Sequence, residues 1–356
     1  MEPSPQFTLV LGGGGLKGLV HIGALRALEE RGLQPTGVVG CSMGSLIGAG
    51  WASGMPIRDL EDRALGLVRK DIFRVAHFDM ALKRMLSPAV YRGEPLDHLV
   101  REMVGDVRFS DLPRRLVVNT VDLNSGQQIL WGLPGLDHAR VRDAVFASCA
   151  LPGILPPRVV EGRVCVDGAV VENLPLRGAR ALGNHPILAI DVGGGRVERH
   201  GVERKGFAMV YSRALEVVMQ SLAAAHLGSW TTPPVVLIRP RVGRVSMFSF
   251  RRTPFLLAEG YRAVNEVLDQ LGSGFGDLAS GVVEGVHPRH EVLVRVIRER
   301  CIGCGLCAAR APEVFAMGPD RIAEVRNERQ LWSAVEDSLP SACPTHAIVA
   351  EVVSRE

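Results

Sequence analysis

Four consecutive glycines at residues 12–15 separate a short apolar run, residues 7–11, from a segment with apolar side chains at helical spacing (Leu19, Ile22, Leu25, Leu28). No other feature limits the fold as much. An apolar run closing in glycine reads as a buried strand ending in a tight turn, and the periodic segment reads as a helix capped at Gly32. The same order returns at once. Gly37–Cys41 is a second short strand, and a helix of small residues begins near Met43. Strand, helix, strand, helix at this spacing predicts a right-handed parallel unit whose loops gather at the strands' C-terminal edge. Further strands are expected at 116–122, 128–131, 163–166, 186–192 and 235–239. Helices are expected near 57–68, 96–104, 141–148, 206–227 and 254–271. The mixture predicts an α/β fold with a largely parallel sheet.

The chain has 356 residues, which suits one large domain and one small one. Residues 272–290 are rich in Gly and Ser without periodicity, so the boundary is expected there: a first domain over 1–275, a linker over 276–290 and a small domain over 291–356. A hydrophobic fraction of 47% can bury a sizeable core, which sets disorder aside. A net charge of +3 does not suggest a nucleic-acid partner. From residue 291 on, ten acidic and eight basic side chains make the tail −2 and leave +5 on the rest, a balance compatible with contact between the body and anionic lipid. The first residues lack the basic and apolar regions of a signal peptide, and the most apolar stretch, 38–55, is broken by five glycines. Seven cysteines, four of them near the C-terminus, read as metal binding in a reducing compartment. A cytoplasmic protein, peripheral to the membrane at most, is expected.

Gly40-Cys41-Ser42-Met43-Gly44 fits G-x-S-x-G at a strand-to-helix junction. The glycines allow a sharp turn that exposes the Ser42 hydroxyl as a nucleophile, and the helix N-terminus behind it offers amide donors to an oxyanion. One unit upstream, Gly13-Gly14-Gly15-Leu16-Lys17-Gly18 falls on the same sheet edge. Unhindered glycine amides converging there suit a tetrahedral intermediate. Gly13-x-Gly15-x-x-Gly18 also fits a dinucleotide-binding loop, but Cys41-Ser42 stands where the ribose-binding carboxylate would end the second strand.

Asp167-Gly168 and the segment from Ser148 to Pro157, SCALPGILPP, follow in order. Together with the two glycine motifs they resemble the patatin-like phospholipase family over about residues 7–270. The resemblance implies a three-layer α/β sandwich and a Ser–Asp dyad. Ser42 would be the nucleophile and Asp167 the base. Gly13, Gly14 and Gly15 would line the oxyanion hole with Lys17 and Gly18 completing the loop, and Gly40 and Gly44 would form the nucleophile elbow. Gly12 departs from the family by standing where many members have Asp. A histidine base is the rival, since His185, His200 and His226 follow Asp167. His21 reads as structural. Cys41, Cys149 and Cys165 read as small packing residues, with a redox brake on the site as the alternative.

Cys301-x-x-Cys304-x-x-Cys307, with Cys343-Pro344 further on, places three thiolates around one face of an iron–sulfur cubane and a fourth to close it. Zinc would more naturally take two C-x-x-C knuckles. Gly303 and Gly305 would let backbone amides approach the sulfurs. Residues 291–356 resemble a bacterial ferredoxin. Ala311, before Pro312, stands where a two-cluster chain has its next cysteine, so one cluster, 4Fe-4S, is expected.

The features support an enzyme acting on a lipid ester, with the iron–sulfur module regulatory or linked to a redox partner. An electron-transfer protein whose large domain binds lipid, and an acyltransferase, are the alternatives. Arg239, Arg241, Arg244, Arg251 and Arg252 interleaved with Met247, Phe248 and Phe250 suit a membrane surface.

Overall fold

The computed structural model describes residues 6–72, 74, 89–193, 201–204, 206–243, 245–271, 290–332 and 339–353. The chain divides into two compact units. The first comprises Met1–His226 with Thr232–Val283, and the second Glu284–Glu356 with Leu227–Thr231. Of the expected linker, only His290 lies among the described residues.

The order is β1 (Thr8–Leu11), a 3-10 turn (Gly15–Leu19), α1 (Val20–Glu30), β2 (Gly37–Cys41), α2 (Met43–Ala52), α3 (Ile57–Gly66), α4 (Glu94–Val104), β3 (Leu116–Asp122), β4 (Gln128–Trp131), α5 (Val141–Cys149), β5 (Arg158–Val160), β6 (Arg163–Asp167), α6 (Ala169–Glu172), α7 (Leu176–Leu182), β7 (Ile187–Ile190), α8 (Phe207–Gly228), β8 (Val235–Ile238) and α9 (Thr253–Gln270). Eight strands form one sheet in the order β5-β6-β3-β2-β1-β7-β8, with β4 also paired to β3. The run β3-β2-β1-β7-β8 is parallel throughout. β4 and β6 lie antiparallel to β3, and β5 antiparallel to β6.

β1 reads TLVL and is buried along its length, as a central parallel strand covered on both faces must be. Successive side chains on β2 point to opposite layers. A Cβ on Gly48 of α2 would stand 2.9 Å from Val38, and one on Gly178 of α7 would stand 2.8 Å from Val39. Helices therefore cover both faces, giving the three layers expected. α1 crosses α9 at van der Waals limit through two glycines. A Cβ on Gly23 would lie 1.9 Å from Leu257 O, and one on Gly260 would lie 1.9 Å from Val20 O.

The elements of the first unit follow the sequence expectations to within a few residues, with three additions, β5, α6 and α7. β5 and β6 form a hairpin across Glu161 and Gly162, both at positive φ (45° and 77°). That turn matches the twist of antiparallel strands, and it reverses the chain so that β6 approaches β3 from the far end.

In the second unit, β9 (His290–Val296) is flanked by β12 (Arg329–Trp332) and β13 (Ile348–Val352), both antiparallel to it. A β10–β11 hairpin (Phe315–Met317 and Ala323–Val325) and two short helices, α10 (Leu306–Arg310) and α11 (Leu339–Ala342), complete this small α+β unit. Val292, Val294, Phe315, Trp332 and Ile348 make its core, together with Ala311. Among the described residues no helix is long and apolar enough to cross a membrane.

Candidate active site and cysteine cavity

Ser42 stands between β2 and α2 with φ 53° and ψ −126°, a conformation that costs energy for a residue with a Cβ. The glycines on either side are dictated by contact. A Cβ at Gly40 would lie 2.4 Å from Ser45 Cα, and one at Gly44 would lie 2.1 Å from Leu11 O, so the elbow closes only with hydrogen at both positions. The Ser42 N–H donates to Ser148 Oγ (2.9 Å), which in turn donates to Asn119 O (2.7 Å).

Register carries Asp167 to the same place. Cys41 pairs with Asn119 across β2–β3, and Thr120 pairs with Asp167 across β3–β6. The residues after β2 and at the end of β6 thereby meet at one edge. The Ser42 side chain lies beside the Asp167 carboxylate, close enough to favour its ionised form. Asp167 Oδ1 accepts from Ala169 N–H (2.9 Å) and from the Cys41 thiol (3.5 Å). Asp167 is 2% exposed, and burial pushes its carboxyl from the ordinary 3.8 up to about 6 against the opposing pull of Ala169 N–H, Ser42 and Cys41. Its own N–H is held by Ala150 O at 3.1 Å. Residues 148 and 150 thus anchor both Ser42 and Asp167 by the backbone. Nothing in the sequence pattern separated Ser148 from its neighbours, although it begins the SCALPGILPP segment.

The glycine loop differs in detail from expectation. Gly13 N–H donates to Asn173 O (3.1 Å) and is buried, so it is not available to a substrate oxygen. Gly14 and Gly15 are partly exposed, and among the described residues their amides make no hydrogen bond, nor does that of Met43 at the start of α2. Gly13 still lies against the nucleophile: a Cβ there would stand 3.1 Å from Ser42 Cβ. Lys17 is buried in the 3-10 turn, and Gly18 packs on the Met43 side chain. His21 is fully buried, with Nε2 hydrogen-bonded to Gly12 O at 2.8 Å. Burial lowers its pKa to about 4, so at neutral pH it is an uncharged N–H donor holding the loop, the structural role expected of it.

Of the rival bases, His185 precedes β7 and so lies at the N-terminal edge of the parallel strands, opposite Ser42. His226 sits in the last turn of α8, and His200 lies outside the described residues. Cys41 and Cys165 are buried and Cys149 is partly so. Burial raises all three thiols, which makes them poor nucleophiles.

Met247 O accepts from Leu16 N–H (2.9 Å), which brings the arginine-rich segment against the glycine loop. Arg239 pairs with Asp191 (3.1 Å) and Arg241 with Glu266 (3.7 Å), so both belong to ion pairs within the fold. Arg251, Arg252 and Phe248 are exposed, and Arg244 lies outside the described residues.

In the second unit Cys301, Cys304, Cys307 and Cys343 line one cavity, about 470 Å³ of empty space with open solvent included. Ile302, Leu306, Leu339 and Ile348 give it apolar walls. Ala323 N–H points at Cys301 Sγ (3.5 Å) and Ala347 N–H at Cys343 Sγ (3.3 Å), with Thr345 Oγ1 3.6 Å from the latter. These amides, not those of Gly303 and Gly305, are the donors seen at the sulfurs. The glycines serve the turn: both have left-handed φ (69° and 72°), and a Cβ on Gly303 would lie 2.5 Å from Arg321 O. Among the described residues no three His, Cys, Asp or Glu side chains converge on a single-ion site. Four thiols around an apolar cavity with amides on the sulfurs fit an iron–sulfur cluster by donor chemistry.

Comparison with known proteins agrees with both halves. Residues 9–180 match the family described as patatin-like phospholipase. Residues 296–350 match the family described as the 4Fe-4S single cluster domain of ferredoxin I. An NTE family protein of Mycobacterium tuberculosis is 28% identical over 344 residues, covering 88% of this chain and 89% of that protein. The lysophospholipase NTE1 of Saccharomyces cerevisiae is 26% identical over 265 residues, which cover 68% of this chain and 15% of the yeast protein. Among solved structures, VipD from Legionella pneumophila aligns over 75% of this chain and 67% of its own, at 17% identity and a TM-score of 0.41.

Proposed function

This chain carries a patatin-like phospholipase domain followed by a single-cluster ferredoxin domain, and we propose that it hydrolyses carboxylic esters of lipids through a Ser42–Asp167 dyad. The observation that carries the reading is the strained Ser42 set at the same sheet edge as Asp167, a carboxyl buried enough for its pKa to be raised to about 6. Such a group is ionised at neutral pH yet basic enough to accept a proton, as a general base requires. Asp167 takes the Ser42 hydroxyl proton as Oγ attacks the ester carbonyl. The amides of Gly14, Gly15 and Met43 stabilise the oxyanion. Asp167 returns the proton to the departing alcohol, leaving an acyl-Ser42. Water then attacks the acyl carbonyl, giving its proton to Asp167, and the tetrahedral state collapses to the carboxylic acid as Asp167 returns that proton to Ser42 Oγ. Lysophospholipase names among the relatives support a lipid ester as the substrate class.

Phe248 with Arg251 and Arg252 forms a peripheral contact with anionic lipid beside the glycine loop. Cys301, Cys304, Cys307 and Cys343 hold one 4Fe-4S cluster, which supplies one-electron chemistry when bound and gives the second unit a regulatory or electron-transfer role. Protein purified without air and assayed on a panel of lysophospholipids, phospholipids and acylglycerols, oxidised and reduced, tests the reading. Hydrolysis that disappears in Ser42→Ala is expected. Equal turnover by both proteins would refute it.

A further inference from the structure

Asn173 is engaged with the glycine loop from both its backbone and its side chain. Its carbonyl accepts from Gly13 N–H (3.1 Å) and its Nδ2 donates to Gly13 O (3.0 Å). The amide side chain is wedged between two glycines. A Cβ on Gly13 would lie 2.5 Å from Asn173 Oδ1, and one on Gly193 would lie 2.5 Å from Asn173 Nδ2. Only glycine at both places admits it. With its amide and carbonyl both engaged, Gly13 is pinned as a peptide unit. The next two amides, Gly14 and Gly15, are the ones left without a protein acceptor among the described residues.

Asn173 reaches this position from the segment that carries the base. Asp167 ends β6, α6 spans Ala169–Glu172, and Asn173 follows directly. α6 is itself tied down. Asn119 Nδ2 donates to Glu172 O (2.7 Å), and Gly168 is packed so tightly on Asn119 that a Cβ would lie 2.4 Å from that nitrogen. One short, fixed segment therefore sets Asp167 at one end and the glycine loop at the other.

We infer that Asn173 is a positioning residue that aims the Gly14 and Gly15 amides at the substrate oxyanion, and that 167–173 couples the base to those amides. The inference rests on the hydrolase reading above. The hydrogen bonds of Asn173 go to Gly13 and not to Ser42 or Asp167. Its effect is confined to the tetrahedral state, where donors 2.7–3.1 Å from the oxyanion matter most.

Asn173→Asp keeps size and shape but places an acceptor against Gly13 O, and Asn173→Ala removes the side chain. Both are compared with wild type in three measurements on the full chain. In steady-state kinetics kcat is expected to fall by about 10²-fold or more, the scale seen when one oxyanion donor is lost, with KM within about 3-fold. Affinity for a trifluoromethyl ketone, whose adduct with Ser42 mimics the tetrahedral state, should fall in parallel with kcat/KM. Affinity for an ether-linked, unreactive lipid should not change. Amide exchange should quicken over residues 12–18 and stay unchanged over β2 and β3.

A kcat within about 3-fold of wild type in Asn173→Asp would overturn the inference. So would a fall in kcat with undiminished ketone affinity, or unchanged exchange over residues 12–18. Faster exchange across β2 and β3 as well would also overturn it, by making the role one of general stability. If wild type itself neither hydrolyses esters nor binds the ketone, the hydrolase reading fails. The exchange comparison then still decides whether Asn173 pins the loop.

Discussion

Replacing Asp167 by Asn should abolish turnover and at the same time stabilise the first unit at high pH. Folding moves this carboxyl from the ordinary 3.8 to about 6, because burial penalises the charge more than its hydrogen bonds repay. A raised folded pKa means that the folded state holds its proton more tightly than the unfolded state. The favourable contribution is thus complete below about 4 and is lost as pH rises through about 6. Roughly two pH units at 1.36 kcal/mol each give about 3 kcal/mol of destabilisation carried by the ionised residue at pH 8. Asparagine has no charge to desolvate and retains an oxygen for Ala169 N–H. The variant should therefore gain about 2–3 kcal/mol at pH 8 and only about 1 kcal/mol at pH 4.5. His21, which loses stability in acid as it charges, is present in both proteins and cancels. The assay is urea unfolding at the two pH values, read by pulsed amide exchange in peptides from β1, β2 and β3, so that the second unit does not contribute. A gain of equal size at both pH values, or none at pH 8, would refute the reasoning. The kinetic companion is an acid limb in wild-type kcat/KM near pH 6, below which Asp167 is protonated and cannot act as base.

Other consequences follow from the same contacts. Gly260→Ala should destabilise the first unit by about 1–3 kcal/mol or more, since its methyl would meet Val20 O at 1.9 Å, and thermal unfolding should show the loss. The pair Arg251→Ala and Arg252→Ala should weaken sedimentation with anionic vesicles and leave turnover of a monomeric ester unchanged; equal binding of wild type to neutral vesicles would remove the membrane contact. Protein made with iron and kept from air should contain about four irons and negligible zinc, whereas Cys343→Ser should lose the cluster and unfold the second unit while sparing the hydrolase. One tightly held zinc in place of iron would overturn the cluster.

The architecture was legible because its determinants are local. Apolar runs closing in glycine mark β1 and β2, and the small side chains of α2 follow directly from its approach to Leu11 and Val38. The nucleophile motif was readable for the same reason, each glycine answering to one contact. What escaped depends on pairing between distant segments. The direction of β6 relative to β3 depends on a Glu161-Gly162 turn with no strong hairpin signature, yet it is this reversal that delivers Asp167 opposite Thr120. The engagement of the Gly13 amide and carbonyl depends on Asn173, 160 residues away, and an asparagine after a short helix carries no sign of its partner. Arg239 and Arg241 read as surface cations until Asp191 and Glu266 are placed beside them. The spacing of the cysteines carried their grouping into one cavity, but not the identity of the amides that serve the sulfurs.

The central claim is that Ser42 is a nucleophile activated by Asp167, and covalent labelling tests it without knowledge of the natural substrate. Intact-mass and peptide analysis after a fluorophosphonate should place one adduct on Ser42 in wild type. Labelling should be absent in Ser42→Ala and slower by on the order of 10³-fold in Asp167→Asn. An adduct on another residue, or labelling of Asp167→Asn at the wild-type rate, would contradict it.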